Sequence, residues 1–173
     1  TEAELSYIEA LSETLENLSF EGKAQQVEGL PSNEAIERLN SLYKKMNLQA
    51  LDKEIIRKSI QLTFIKATKE DKLQMNHQMT PDTIAYLIAY FIGEIKKDKT
   101  EKLHVSDLAA GTGNLLNIVL AHLASRGNEV TAEAVDNDDL LISVAANSGS
   151  LMGLSEKIHY THSDSLQVLL IEP

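Results

Sequence analysis

The chain of 173 residues has no cysteine and no tryptophan, three prolines, eight glycines, and 16 basic residues against 26 acidic ones. Each shortage excludes something. Without cysteine there is no disulfide framework and no thiolate metal site, which fits a reducing cytoplasm. No apolar run approaches the roughly 18–20 residues of a membrane-spanning helix, and no charged-then-apolar leader opens the chain. The expectation is therefore a cytoplasmic protein with no membrane partner. A net charge of −10 repels nucleic acid and anionic lipid unless the cations cluster. They do not cluster: residues 1–72 carry a net −3 and residues 73–173 a net −7. What remains is 43% hydrophobic and 24% charged, the balance of a globular protein. The length suits one domain, or one domain with a small helical annex.

The two parts of the chain read differently. Up to about Lys72 the apolar spacing is helical. Leu5, Ile8, Leu11, Leu15 and Leu18 share one face, and Gly22 and Gly29-Leu30-Pro31 break the pattern. Ser32 or Asn33 opens a second helix with Ile36, Leu39, Leu42, Tyr43 and Met46; Asp52 opens a third with Ile55, Ile56, Ile60, Phe64 and Ile65. This region predicts a helical bundle that packs on something else and has no chemical role of its own. From Leu73 the pattern changes. Thr80-Pro81-Asp82 predicts a helix start, with Thr80 as the capping hydroxyl and Pro81 at the first helical position. An amphipathic stripe follows, Ile84, Leu87, Ile88, Phe91, Ile92 and Ile95, closed by Lys96, Lys97 and Lys99. Then come a short buried strand over Leu103–Leu108, a glycine turn, and a helix over Leu115–Ala124. A strand over Val130–Val135, a helix over Asp139–Leu151 and a strand over Ile158–Thr161 complete the pattern. Strands alternating with helices imply right-handed crossovers and a parallel sheet, so the fold class is α/β.

The informative segment is Asp107-Leu108-Ala109-Ala110-Gly111-Thr112-Gly113-Asn114-Leu115. Glycines where a strand gives way to a helix let the backbone turn sharply and let a ligand approach it. A nucleoside triphosphate loop would end in Gly-Lys-Ser/Thr, which the chain lacks. A dinucleotide turn would carry a third glycine where Leu116 stands. Asp107 is also ill placed for a pyrophosphate, because like charges repel. It suits a ligand with a cationic amino group, of which S-adenosylmethionine is one. Asp136, at the end of the second strand, is placed to accept from ribose hydroxyls, or else serves as a plain helix cap. Asp164, after the third strand, could accept from an adenine amino group or be a solvated loop carboxylate. His159 and His162 fall on opposite faces of a strand, which speaks against a shared metal.

Residues 107–116 resemble the first motif of the class I S-adenosylmethionine-dependent methyltransferases, and Asn114 after the second glycine is similar to the DNA adenine-N6 branch. Asn76-His77-Gln78-Met79-Thr80-Pro81-Asp82-Thr83-Ile84 resembles the Thr-Pro element of that branch, and the YtxK-type proteins are the nearest likeness. The resemblance implies the first half of a Rossmann-like methyltransferase sheet over residues 73–173, after the helical region over 1–72. It implies S-adenosylmethionine as cofactor. Thr80 and Pro81 would line the methionine end. Asp107, Ala109, Gly111 and Gly113 would hold the methionine moiety, with Asn114 nearby. Asp136 would take the ribose, Asn137 would lie beside the adenine, and Asp164 would meet its amino group. It further implies DNA as substrate of a longer parent.

One element of the family is missing. That branch holds its target base with an Asn/Asp-Pro-Pro-aromatic motif, and Pro31, Pro81 and Pro173 are all isolated. Val168–Ile171 reads as the approach to a fourth strand. The expectation is a chain truncated before the catalytic motif, with no catalytic residue of its own. In the family's strand order the fourth strand pairs with the first. Without it the first strand keeps an unpaired edge, and the expectation is a chain that associates with itself or is marginally stable.

Overall fold

The structure is a computed structural model that describes residues 5–47, 50–71, 79–96 and 102–167. The helical region contributes α1 (Tyr7–Ser19), α2 (Asn33–Lys45) and α3 (Lys53–Glu70). After it come α4 (Asp82–Ile95), β1 (Leu103–Asp107), α5 (Asn114–Ser125), β2 (Val130–Asp136), α6 (Asp139–Leu151) and β3 (Ile158–His162). The fold is mixed α/β: a helical N-terminal region on a parallel sheet of three strands in the order β1-β2-β3.

Local chemistry sets the helix starts. Ser6 and Glu9 form a reciprocal capping box at α1, and Ser32 and Asp52 accept from Ala35 and Glu54 amides at α2 and α3. Asp71, at the end of α3, accepts from the Tyr7 and Ile8 amides and so ties α1 to α3. Asp138 accepts from the Leu140 and Leu141 amides and starts α6.

The sheet is covered on one face. Leu103, Val130, Ala132, Ala134 and Ile158 are buried there against α4, α5 and α6. Of the alternate positions, His104, Ser106, Thr131 and His159 are exposed, while Val135 at the carboxyl end of β2 is buried. β1 is therefore half-buried, not the buried strand that its apolar content predicts, because the described residues place helices on one side only. α5 is apolar nearly all round, with Leu116, Ile118, Val119, Leu120 and Leu123 at most 2% exposed, and it is the central helix of the layer.

A second apolar cluster joins the two regions. Ile8, Leu11 and Leu15 of α1 and Ile56, Ile60 and Phe64 of α3 meet Leu141, Val144 and Met152 on and after α6. Ser12–Ser143 and Ser19–Asn147 hydrogen bonds flank the α1–α6 contact.

Three expectations need correcting. The α2 stripe buries only Tyr43, whereas Leu42 and Met46 are 55% and 46% exposed. α2 folds onto its own connecting loop, where Asn40 accepts from the Ala24 amide and Asn17 donates to the Tyr43 hydroxyl. The α4 stripe is only partly borne out: Ile88 and Ile92 pack partly buried against the core. α4 buries Ala85, Ala89 and Gly93, while Ile84, Leu87, Phe91 and Ile95 are exposed. Small residues let α4 lie close on α5, and in the described residues nothing covers Ile84, Leu87, Phe91 and Ile95. Finally, Pro81 is the cap residue of α4 and no side chain caps the helix, so Thr80 is not the capping hydroxyl and Asp82 is the first helical residue. Lys97, Lys99, Asn76-His77-Gln78 and Val168–Ile171 lie outside the described residues.

Candidate cofactor site

A cavity of about 520 Å³ opens at the carboxyl ends of β1 and β2, within the roughly 300–1,000 Å³ of small-molecule sites. A parallel sheet places its ligands at this edge. Of the predicted residues, Thr80, Asp107, Ala109, Gly111, Asn114, Asp136 and Asn137 line it.

The turn after β1 makes the floor. Gly111 and Gly113 have φ of +53° and +74°, in the region that costs an L side chain strain. The two glycines differ in surroundings. A Cβ at Gly111 would meet nothing within 4 Å, whereas one at Gly113 would stand 3.2 Å from the Ala145 Cβ. Gly111 serves the turn, and Gly113 also lets the turn approach Ala145 of α6 closely. Gly113 does not line the cavity.

Asp136 binds the turn to β2. Its Oδ2 accepts from the Gly111 amide at 2.7 Å and its Oδ1 from the Asp138 amide at 2.9 Å. The Ala110 amide donates to the Val135 carbonyl alongside. Each carboxylate oxygen of Asp136 keeps lone pairs for a further donor. Asp107 accepts from the Ala109 amide at 3.2 Å. Burial pushes the Asp107 carboxyl above the usual carboxylate range, the Ala109 amide opposes the shift, and the charge on Asp136 adds to it. With Asp138 the described lining holds three aspartates and no lysine, arginine or histidine. Such a hollow favours a cation and disfavours a phosphate.

Other predicted residues sit elsewhere. Pro81 is outside the cavity, at the α4 cap. Asp164 is exposed in the turn after β3, where it accepts from the Leu166 amide and the Gln167 side chain, and it does not line the cavity. Asn114 is 5% exposed, and its amide has protein partners at both ends: Oδ1 accepts from Arg57, and Nδ2 donates to the Thr80 carbonyl and to Asp82.

Two residues of the helical region had no site role in the sequence reading, Phe64 being read as an apolar stripe residue and Arg57 not at all. Phe64 of α3, 1% exposed, lines the cavity. Arg57 of α3 reaches Asn114. A lone aromatic and a lone arginine on a helix carry no motif, so only the fold reveals them.

This arrangement has counterparts among known proteins. Residues 1–68 match the YtxK N-terminal helical domain. The uncharacterized protein YtxK of Bacillus subtilis (strain 168) is 37% identical over 172 residues, 99% of this chain and 50% of YtxK. A Listeria monocytogenes crystal structure, described as that of a "putative class I S-adenosylmethionine-dependent methyltransferase", superposes with a TM-score of 0.85. It is 39% identical, over 100% of this chain and 51% of its own. The chain thus spans about half the length of both relatives. The YtxK-like region is the part that supplies Phe64 to the cavity wall and Arg57 to Asn114 behind it.

Proposed function

We propose that this chain is the cofactor-binding part of an S-adenosylmethionine-dependent methyltransferase. One observation carries the reading: a cavity at the strand ends whose described charged residues are all carboxylates. That donor set fits the cofactor. Asp107 would meet the ammonium group, Asp136 would accept the ribose hydroxyls, and the Gly111 turn leaves room at the main chain. When bound, the cofactor supplies a methyl group on a positively charged sulfur. The chain's own residues bind and orient. Phe64, Met79 and Leu141 exclude water from one wall, and Asp107 lends its charge from a half-buried position, where charge acts more strongly than in water.

The likeness of residues 107–116 and of Thr80-Pro81 to the adenine-N6 branch supports adenine in DNA as the acceptor of the longer protein. The net charge of −10 favours a second reading, an acceptor that is not a nucleic acid, or a binding module without catalysis. Calorimetric titration of the 173-residue chain with S-adenosylmethionine tests the cofactor. Binding that Asp136→Ala weakens at least tenfold is expected; binding of NAD in its place sinks the proposal. Transfer of a labelled methyl group by a chain of the relatives' full length, to adenine-containing DNA or to none, decides the acceptor.

A further inference from the structure

The guanidinium of Arg57 is 5% exposed, and all five of its N–H groups have partners. Nε and one Nη2 hydrogen bond Glu54 of the same helix, each at 2.7 Å. The other Nη2 hydrogen bonds Asp82 at 2.7 Å, and Nη1 divides between Asp82 at 3.0 Å and Asn114 at 2.7 Å. Gln61 of α3 donates to the same Asp82 at 2.7 Å. Asn114 in turn donates to the Thr80 carbonyl at 3.2 Å. One arginine from the helical region therefore holds the first residue of α4 and the first residue of α5. Those are the two helix starts that flank the cavity, and Thr80 and Asn114 are both part of its wall.

We infer that Arg57 is a positioning residue for the cofactor, and that docking of α3 and binding of S-adenosylmethionine are one linked equilibrium. The inference rests on the proposed function. Its physical basis is rigidity. A planar fork with five donors fixes three acceptors in one arrangement, which a lysine, with three freely rotating donors, cannot do. Phe64, seven residues further along α3, closes the same cavity, so a displaced α3 opens the wall as well as releasing Asn114. Linkage is reciprocal, and a cofactor held by this wall must in turn hold α3 in place.

Arg57→Lys and Arg57→Met are compared with the unaltered chain by hydrogen exchange without ligand and by calorimetry with S-adenosylmethionine. The amides to follow are Ala85 and Asn117, which bond the Pro81 and Gly113 carbonyls at the two helix starts. Arg57→Lys is expected to speed their exchange at least tenfold and to weaken cofactor binding at least tenfold. Arg57→Met is expected to do more; where it fails to fold, the lysine variant decides. Ile8→Val, which loosens the shared core away from the knot, should leave affinity within twofold and so separates positioning from general loss of stability. Unchanged exchange at Ala85 and Asn117, or faster exchange with unchanged affinity, overturns the inference. Absence of any cofactor heat from the unaltered chain removes the proposed function instead. The exchange of the two amides then still decides whether Arg57 fixes the helix starts.

Discussion

At the residue scale, Asp107 makes the sharpest prediction. Its carboxyl is raised by burial, so the folded chain holds this proton to a higher pH than the unfolded chain does. Ionised Asp107 therefore costs stability at neutral pH, and that cost fades as pH falls through the raised value. A cationic ligand acts oppositely, because it favours the charged form. Cofactor binding should weaken as pH falls through that value, and near it binding should release a proton. Calorimetry in buffers of different ionisation enthalpy measures this release, and no release at acidic pH would place the ligand's charge elsewhere. The two turn glycines give a paired prediction. Gly111→Ala should cost about 1 kcal/mol, from positive φ alone. Gly113→Ala should cost about 2 kcal/mol or more, because its Cβ also presses on Ala145. Chemical denaturation of both variants checks the order. The turn at Gly111 was legible because turn chemistry is local. Arg57 was not, since its partners lie 25 and 57 positions away and only folding brings them together.

At the element scale, helix starts announced themselves where a short polar side chain could reach back to the backbone, as at Ser32 and Asp52, whereas the cap of α6 is Asp138 and not the Asp136 that the sequence offered. Which face a helix buries was less legible. The large residues of α4 recur at helical spacing, yet the face against α5 is Ala85, Ala89 and Gly93. Periodicity registers size and hydropathy, whereas close packing of two helices selects small residues. The alternation Leu103-His104-Val105-Ser106 was in the sequence, and it marks a strand covered on one side. Among the described residues β1 has one strand neighbour, and its outer edge and the exposed α4 face are the surfaces through which we expect the chain to self-associate. Leu87→Glu with Phe91→Lys should reduce concentration-dependent association in sedimentation experiments, with stability changed by no more than about 0.5 kcal/mol, since both side chains are half exposed. A monomer at high concentration before any substitution would count against the association.

At the scale of the whole molecule, the sequence pattern changes near residue 72. What pattern cannot convey is that the regions share a core. Leu141, Val144 and Met152 belong to the sheet layer but are buried against α1 and α3. Burying a side chain of this size contributes about 1.5–3 kcal/mol. A fragment beginning at Met79 would expose all three. It should lose its cooperative thermal transition while the 173-residue chain keeps one, and calorimetry distinguishes the outcomes. Among the described residues no helix is long and apolar enough to cross a membrane.

The five-donor fork at Arg57 also bears on how this protein can change over generations. Removing the arginine takes the buried charge partner from Asp82, and removing either carboxylate leaves the buried arginine short of an acceptor, so single steps at positions 54, 57 and 82 are each penalised while a joint replacement is not. Across related genomes these positions, with Asn114, should be exchanged together or not at all, as a single heritable character.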